Sequence, residues 1–326
     1  MVNTNSFSKG SSHGSHGSHG SPPPYPREVI LSILKKNRNP VSGTLISRET
    51  GITRVAVWKH IKKLKEEGYS IKSSSEGYSL SGSDSPLSLL RWEYPGRKGK
   101  IFIFREIDST MNKARELARG DALHMTAVAA ERQTEGRGSK NSQWDSERGS
   151  LYFTLILRPR VKLHRYHLYT LAAAAAAADF IQKFGVKAVC RWPNEVHAGG
   201  GKIAGILTEV SGFPEQIDYI LLGVGVNINN SQGGNKSLSM ITKKEIPLNS
   251  ALKTILMCIE EHMDLSPDII PSVWEKKSGI SGSKSITASG VRSGKKISGS
   301  ILHLDNDGNL VITTAGEDRV TLYPGE

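Results

Sequence analysis

The stretch from Val189 to Val210 constrains the fold more than any other part of the chain. Two short apolar runs, Lys187 to Trp192 and Ile203 to Val210, flank a polar interval that holds Pro193, Asn194, Glu195 and the glycines 199–201. Short β-rich runs bounded by Pro and Gly read as strands joined by a loop. A hairpin is therefore expected here, with Lys202 at its exit and the bare backbone of Gly205 beside it. An ammonium and amide N–H groups can converge there on an anion. A lone GGGK would serve equally as a surface turn with a solvated lysine. A second stretch, Gln133 to Trp144, leaves the apolar run Met125 to Ala130 and enters another loop. In it Gly136 and Gly138 permit close backbone approach, Arg137 and Lys140 bring positive charge, and Trp144 offers a face for stacking. Its glycine spacing, with no helix pattern behind it, is neither a dinucleotide fingerprint nor a Walker loop.

The chain's 326 residues leave room for two or three domains. The longest apolar run, Leu168 to Ala178, falls well short of the roughly 20 residues a membrane span needs, so it reads as a buried, alanine-rich helix. With no signal-peptide pattern near Met1, a cytoplasmic location and no membrane partner are expected. Cys190 and Cys258 lie far apart without metal-ligand spacing and are expected to be reduced, packed thiols. No metal site is assigned to the protein's own residues. The net charge of +12 favours a polyanionic partner, but its distribution has to decide which.

Residues 1–26 are Ser, Gly, His and Pro with almost nothing to bury, the composition of a disordered tail. Val29, Ile30, Ile33 and Leu34 then share one helical face. Ser42 is placed to cap a second helix reaching Thr50, and Gly51 to turn the chain. A third helix runs from an N-cap at Thr53 to Gly68, with Val57, Ile61 and Leu64 inward. Tyr69 to Leu80 folds as a hairpin about Glu76 and Gly77. This is a winged helix-turn-helix over residues 27–82. Because recognition helices reach base edges from their N-terminal residues, Thr53, Arg54, Val57, Trp58, Lys59 and Lys62 are the candidate DNA contacts. A solvated basic face is the alternative.

Ser81 to Pro86 reads as a linker. Beyond it come a strand at Lys100 to Arg105 and a helix that Asp108, Ser109 or Thr110 would cap, with Met111, Ala114, Leu117 and Ala118 on its inner face. Further strands and helices follow, and from Gly282 short strands alternate with turns at Ser293-Gly294, Asp307-Gly308 and Ala315-Gly316. The fold class is α+β. The core shows no Ser-His-Asp or Cys-His grouping.

Four motifs then occur in order: Gln133 to Gly138 (QTEGRG) followed by Trp144, Trp192 to Glu195 (WPNE), Lys202 to Leu207 (KIAGIL), and Gly223 to Asn227 (GVGVN). From Ile107 to the C-terminus this order resembles the biotin protein ligases. The segment Gly51 to Gly68, with the wing Gly77 to Leu80, also resembles the repressor domain carried by one class of them. The resemblance implies a catalytic domain over 87–279, with a central mixed sheet like that of class II synthetases and biotin and lipoate ligases, and an SH3-like β domain over 280–326. It implies biotinyl-5′-AMP formation from biotin and ATP with Mg²⁺, then transfer to a lysine of a biotin carboxyl carrier protein. It also implies operator binding as a homodimer. Lys202 and Arg137 take the catalytic roles, and Ser109 and Thr110 the biotin head group. Gln133, Gly136, Gly138, Ser139, Gly205, Leu207 and Gly223, together with Arg137 and Lys202 themselves, complete the biotin site, while Trp144, Asn194, Glu195 and Asn227 hold the nucleotide. Two departures stand out: Ser139, Asn141 and Ser142 replace the family's usual Arg, Gly and Arg, and Glu195 replaces its Asp. The altered loop supports an alternative, a biotin-sensing repressor with weak or leaky ligase activity. Lipoate attachment is the other rival.

Overall fold

The computed structural model describes residues 26–37, 39–66, 69, 71–80, 97, 99–120, 122–139, 142–231, 233–279, 285–289 and 296–324. The tail before Pro26, the Gly68 cap, the linker 81–86, Lys140 and Asn141, and the turn at Ser293-Gly294 lie outside these residues. The chain forms two units, one holding the elements up to Leu80 and one the elements beyond.

The first unit contains α1 (Pro26–Lys36), α2 (Gly43–Thr50) and α3 (Arg54–Glu66), then β1 (Ile71–Ser74) and β2 (Gly77–Leu80). The expected caps are in place: Ser42 Oγ accepts from the Leu45 N–H at 3.2 Å and Thr53 Oγ1 from the Ala56 N–H at 3.2 Å. Gly51 adopts φ 69°, a left-handed turn that costs glycine little. The hairpin turns at Ser75-Glu76, one residue earlier than expected, and Val41 adds a bridge to Tyr78. Val57, Ile61 and Leu64 are buried at 0%, 2% and 0% exposure. Val57 is therefore not a DNA contact: the same helical stripe that packs Ile61 and Leu64 carries its side chain into the core.

The second unit has a seven-stranded mixed sheet. Its strands are β3 (Ile101–Phe104), β4 (Thr126–Ala130), β5 (Leu151–Leu157), β6 (Ala188–Arg191), β7 (Glu195–Ala198), β8 (Gly201–Phe213) and β9 (Gln216–Val226). They lie in the order β3-β4-β5-β9-β8-β7-β6. The β3–β4 pair is parallel and every other pair antiparallel. Strand alternation sends Leu151, Phe153, Leu155 and Leu157 of β5 to one face, with Ile220, Leu222, Val224 and Val226 of β9. That face packs on helices α5 (Leu168–Gln182), α7 (Leu248–Met263) and α8 (Ile270–Ser278), while the short α6 (Leu238–Thr242) adds Leu238 to the core. All seven alanines 172–178 of α5 are buried. The opposite face carries α4 (Thr110–Arg119), whose Met111, Ala114 and Ala118 pack with Val128, Ile156 and Leu221. The candidate site lies on this second face.

The expected single loop from Pro193 to Lys202 is two turns around the extra strand β7. Glu195 and His197 face away from the helices while Val196 and Ala198 are buried, so four residues suffice for a strand. Lys202 is the second residue of β8, directly after the turn at Gly199 and Gly200, where a strand was expected to begin. At the C-terminus, β10 (Ser285–Ser289), β11 (Lys296–Leu304), β12 (Leu310–Thr314) and β13 (Arg319–Leu322) form an antiparallel sheet in chain order. Its Leu304, Leu310, Ile312 and Leu322 share one core with α5 and α8. Cys190 and Cys258 are buried free thiols, and burial pushes the Cys190 thiol up to about 12, so it stays protonated. Among the described residues no helix is long and apolar enough to cross a membrane.

Candidate functional site

Residues directly opposed in an antiparallel sheet share a face, and the register writes out the floor of the site. One row across the open face reads Tyr152, Gly225, Gly205, Glu195; the next reads Thr154, Gly223, Leu207. A Cβ on Gly225 would come within 2.6 Å of the Trp144 indole, one on Gly205 within 2.7 Å of it, and one on Gly223 within 2.9 Å of Met111 Sδ. The missing side chains are thus replaced by Trp144 and Met111. The resulting cleft is open, with a cavity volume of about 60 Å³ between its lining residues.

One end of the cleft is polar and uncharged. Gln133 Oε1 accepts from the Thr110 N–H at 2.8 Å and from its hydroxyl at 2.9 Å, and Thr110 Oγ1 meets Thr154 Oγ1 at 2.9 Å. Gln133 Nε2 donates to Ser146 Oγ at 2.9 Å, which fixes the amide's orientation. Ser109 Oγ caps α4 by accepting from the Met111 N–H at 3.2 Å, so its own proton is available to a ligand. Ser109, Thr110 and Thr154 are all at least 97% buried. The capping role and the pocket role of Ser109 coincide.

The other end is cationic. Lys202 Nζ donates to Glu195 Oε1 at 2.8 Å and lies 5.0 Å from the centroid of the Trp144 ring. The second carboxylate oxygen of Glu195 meets His197 Nε2 at 2.8 Å. Burial raises the Glu195 pKa, yet hydrogen bonds from His197 and Lys202, with their charges, outweigh it and hold the carboxyl below its ordinary value. A depressed carboxylate contributes stability that is fully present above its ordinary pKa and is lost as pH falls through the lowered one. The melting temperature of Glu195→Gln is therefore expected to lie slightly below that of the parent at neutral pH and to converge with it in acid below the carboxylate range. The gap stays small because the Glu195 side chain is 36% exposed.

The basic loop sits over the N-terminal turn of α4. Asn112 links them: its Nδ2 donates to Asp108 Oδ2 at 2.6 Å and its Oδ1 accepts from Arg137 Nη2 at 2.5 Å. The hydrogen bond from Asn112, the Ser109 N–H and the nearby Arg137 charge lower the Asp108 pKa despite a smaller desolvation penalty. Arg137 remains exposed. Gly138, Ser139 and Ser142 border the cleft, and the Ser142 hydroxyl is turned on the loop itself: Ser142 Oγ donates to Ser139 O at 2.7 Å and the Gly138 N–H to Ser142 O at 2.8 Å.

The structure thus brings Ser109, Thr110, Gln133, Arg137, Gly138, Ser139, Trp144, Asn194, Lys202, Gly205, Leu207 and Gly223 to one cleft. Gly136, Glu195 and Asn227 stand outside its lining. Gly136 closes the loop, since a Cβ there would lie 2.3 Å from Trp144 O. Glu195 is joined to the cleft by its hydrogen bond from Lys202. Asn227 is 95% buried and donates from Nδ2 to Lys236 O at 3.2 Å. Asn194 Nδ2 is tied to Ile206 O at 2.7 Å. Sequence reasoning missed Met111, Tyr152 and Gly225 as cleft residues, and also Thr154, which backs Thr110, and Asn112 and His197. Thr154 and Gly225 had a readable signal: alternation along β5 and β9 puts both on the polar face.

In the first unit, Arg54, Val55, Trp58, Lys59 and Lys62 are exposed on α3, and Thr53 precedes them as its cap. Arg54, Val55, Trp58 and Lys62 also line a concavity between α3 and the β1–β2 hairpin, across which Lys65 Nζ donates to Ser73 Oγ at 2.9 Å. Lys62 lies 5.9 Å from the Trp58 ring centroid. Val55 is 64% exposed, whereas Val57 is fully buried.

Comparison with known proteins matches residues 26–79 to an HTH domain and residues 103–227 to the biotin/lipoate A/B protein ligase family. The bifunctional ligase/repressor BirA of Bacillus subtilis is 31% identical over 295 residues, covering 84% of this chain and 89% of its own. The chain belongs to the biotin protein ligase family. Its relative in Escherichia coli, also a bifunctional ligase/repressor BirA, is 28% identical over 57% of this chain and 59% of its own. Among solved structures, the biotin protein ligase from Aquifex aeolicus in complex with biotin and ATP shares the fold, with TM-score 0.59 at 24% identity over 70% of this chain and 97% of that one. Within the family frame, the helix-turn-helix unit and the cleft-bearing unit are the two working parts.

Proposed function

We propose that the chain joins biotin to ATP, forming biotinyl-5′-AMP and releasing pyrophosphate, and passes the biotinyl group to a lysine of a biotin carboxyl carrier protein with release of AMP. Its winged unit binds operator DNA, so the same chain is a transcriptional repressor of biotin genes. The observation that carries the ligase reading is the cleft's polarity: an uncharged set of Ser109, Thr110 and Gln133, backed by the buried Thr154, at one end, and Lys202 at the other, across a glycine floor. A ureido ring offers both N–H and C=O, which hydroxyls and an amide can match without burying a charge. A carboxylate and a triphosphate repel each other, and a cation held between them offsets that repulsion.

Lys202 and Arg137 supply the charge, the loop from Gly136 to Ser139 covers the reacting groups, and Gly205, Leu207 and Gly223 bed the biotin rings and chain. Trp144 and Asn194 border the nucleotide's side, with Glu195 and Asn227 shaping it from behind. Mg²⁺ is assigned to the nucleotide phosphates and not to the chain. The carboxylate nearest Lys202 has both oxygens engaged by Lys202 and His197, and among the described residues no group of three His, Cys, Asp or Glu side chains could hold a metal ion.

The two Bacillus relatives that cover 84% of this chain carry ligase and repressor in one name, so the reading of a repressor with weak ligase activity is not favoured. Incubation with biotin, Mg-ATP and a purified carrier domain is expected to label one carrier lysine, and free lipoate is expected not to compete. An unlabelled carrier would remove the reading. For the DNA unit, Arg54→Ala and Lys59→Ala are each expected to weaken operator binding, with the salt slope falling by about one for each phosphate that no longer meets a cation. Val57→Ala is expected to lower thermal stability instead, by about 1–3 kcal/mol, because it removes buried apolar volume. A two-fold operator calls for two winged units, so the working species is placed as a homodimer in the cytoplasm, to be checked by sedimentation with and without the adenylate.

A further inference from the structure

Glu195 is the one carboxylate that touches Lys202 among the described residues, and it touches a second group as well. Its Oε1 accepts from Lys202 Nζ at 2.8 Å and its Oε2 meets His197 Nε2 at 2.8 Å. The arrangement follows from the sheet. Glu195 and His197 are two apart on β7 and so share a face, and His197 lies opposite Lys202 on β8, beside the register shift between Val196 and His197. A carboxylate can only accept, so Nε2 carries the proton in this contact. His197 is the more enclosed partner, with its side chain 17% exposed against 36% for Glu195.

We infer that His197 is a positioning residue for the ligation reaction, fixing Lys202 in the cleft by holding the far oxygen of Glu195. The inference rests on the ligase reading of the site. Lysine has four rotatable bonds and glutamate three, and a lone pair of such chains at a half-open cleft edge loses entropy for little gain. With Oε2 anchored from the strand itself, Glu195 has one orientation, and the ammonium it holds has one place relative to the Trp144 ring and the glycine floor. The glutamate at this position then has a structural purpose. It spans two partners, whereas an aspartate, one carbon shorter, would give up one of them. His197 touches no reacting atom, so its effect reaches the reaction only through Glu195 and Lys202.

The test compares carrier biotinylation by the full chain with that by His197→Phe, His197→Gln, Glu195→Asp and the double variant Glu195→Asp/His197→Phe. His197→Phe keeps a strand-compatible ring and removes the donor, and it is expected to lower kcat about tenfold with KM for biotin within about twofold, since small misplacement of a catalytic group costs turnover. His197→Gln retains an N–H donor and is expected to recover most of that activity. In the Glu195→Asp background, His197→Phe is expected to add nothing, because the link to Lys202 is already broken. His197→Ala makes the same deletion should the phenyl ring prevent folding. Parent-like turnover in His197→Phe or His197→Ala, glutamine no better than the deletion at an unchanged melting temperature, or full additivity with Glu195→Asp would each overturn the inference. A parent chain that labels no carrier overturns the ligase reading and this inference with it, whereas an active parent with indifferent variants overturns the role of His197 alone.

Discussion

Lys202→Met is expected to slow biotinyl-AMP formation by about 10²–10³-fold while leaving biotin binding nearly intact, the range seen when one preorganised charge-stabilising donor is removed from a site. Two unit charges about 4 Å apart interact by roughly 4 kcal/mol at the effective dielectric of a protein surface, which is enough to account for an effect of that size. The ammonium is already desolvated on one side, lying over the Trp144 ring and bonded to Glu195, so the reaction need not reorganise it from bulk water. Lys202→Arg is expected to fail as well. A guanidinium is a planar fork and not a compact point charge, and the space between Glu195, Trp144 and Gly205 is fitted to the smaller group. Single-turnover pyrophosphate release, with biotin affinity from calorimetry on the same samples, separates the two effects. A rate reduction under tenfold in Lys202→Met would mean that Arg137 or the metal-bound nucleotide supplies the neutralisation instead.

What the sequence disclosed follows the range of the interactions. Caps and stripes are local, so Ser42, Thr53, Gly51 and the buried set Val57, Ile61 and Leu64 could be placed from spacing alone. The same spacing contradicts a surface role for Val57. Val55, Trp58, Lys59 and Lys62 recur at intervals of three and four on the exposed side, and Val57 does not belong to that set. The motif residues around Lys202 and Arg137 were found by order, yet their partners were not. Arg137 is held by Asn112, 25 positions away, and Thr110 by Gln133 and Thr154, 23 and 44 away, pairings that only the closed sheet creates. Strand β7 was hidden because a turn lies on each side of four residues, two of them polar, so that the whole read as loop. With β7 unseen, nothing marked His197 as a neighbour of Glu195, since a separation of two means a shared face only in a strand.

Gly225→Ala is expected to lower adenylate formation by about 100-fold without unfolding the chain. Gly225 is not among the positive-φ glycines, so alanine is conformationally acceptable there and the backbone carries no strain. The cost arises from crowding. The new Cβ would sit 2.6–2.7 Å from three atoms of the Trp144 indole, Cε2, Cζ2 and Nε1, and real Cβ atoms do not approach so closely. The indole must therefore withdraw, taking with it the ring against which Lys202 rests and the loop that carries Arg137. A displacement near 1 Å at a reacting group is worth about 100-fold in rate. Gly205→Ala is expected to act at least as strongly, since its Cβ would meet both the indole at 2.7 Å and Lys202 Cε at 3.2 Å. The decisive comparison is made in a Trp144→Ala background. If the glycine is required because of the indole, Gly225→Ala then slows the reaction no further, whereas effects that multiply would assign the glycine to the ligand's own space and separate the floor from its tryptophan.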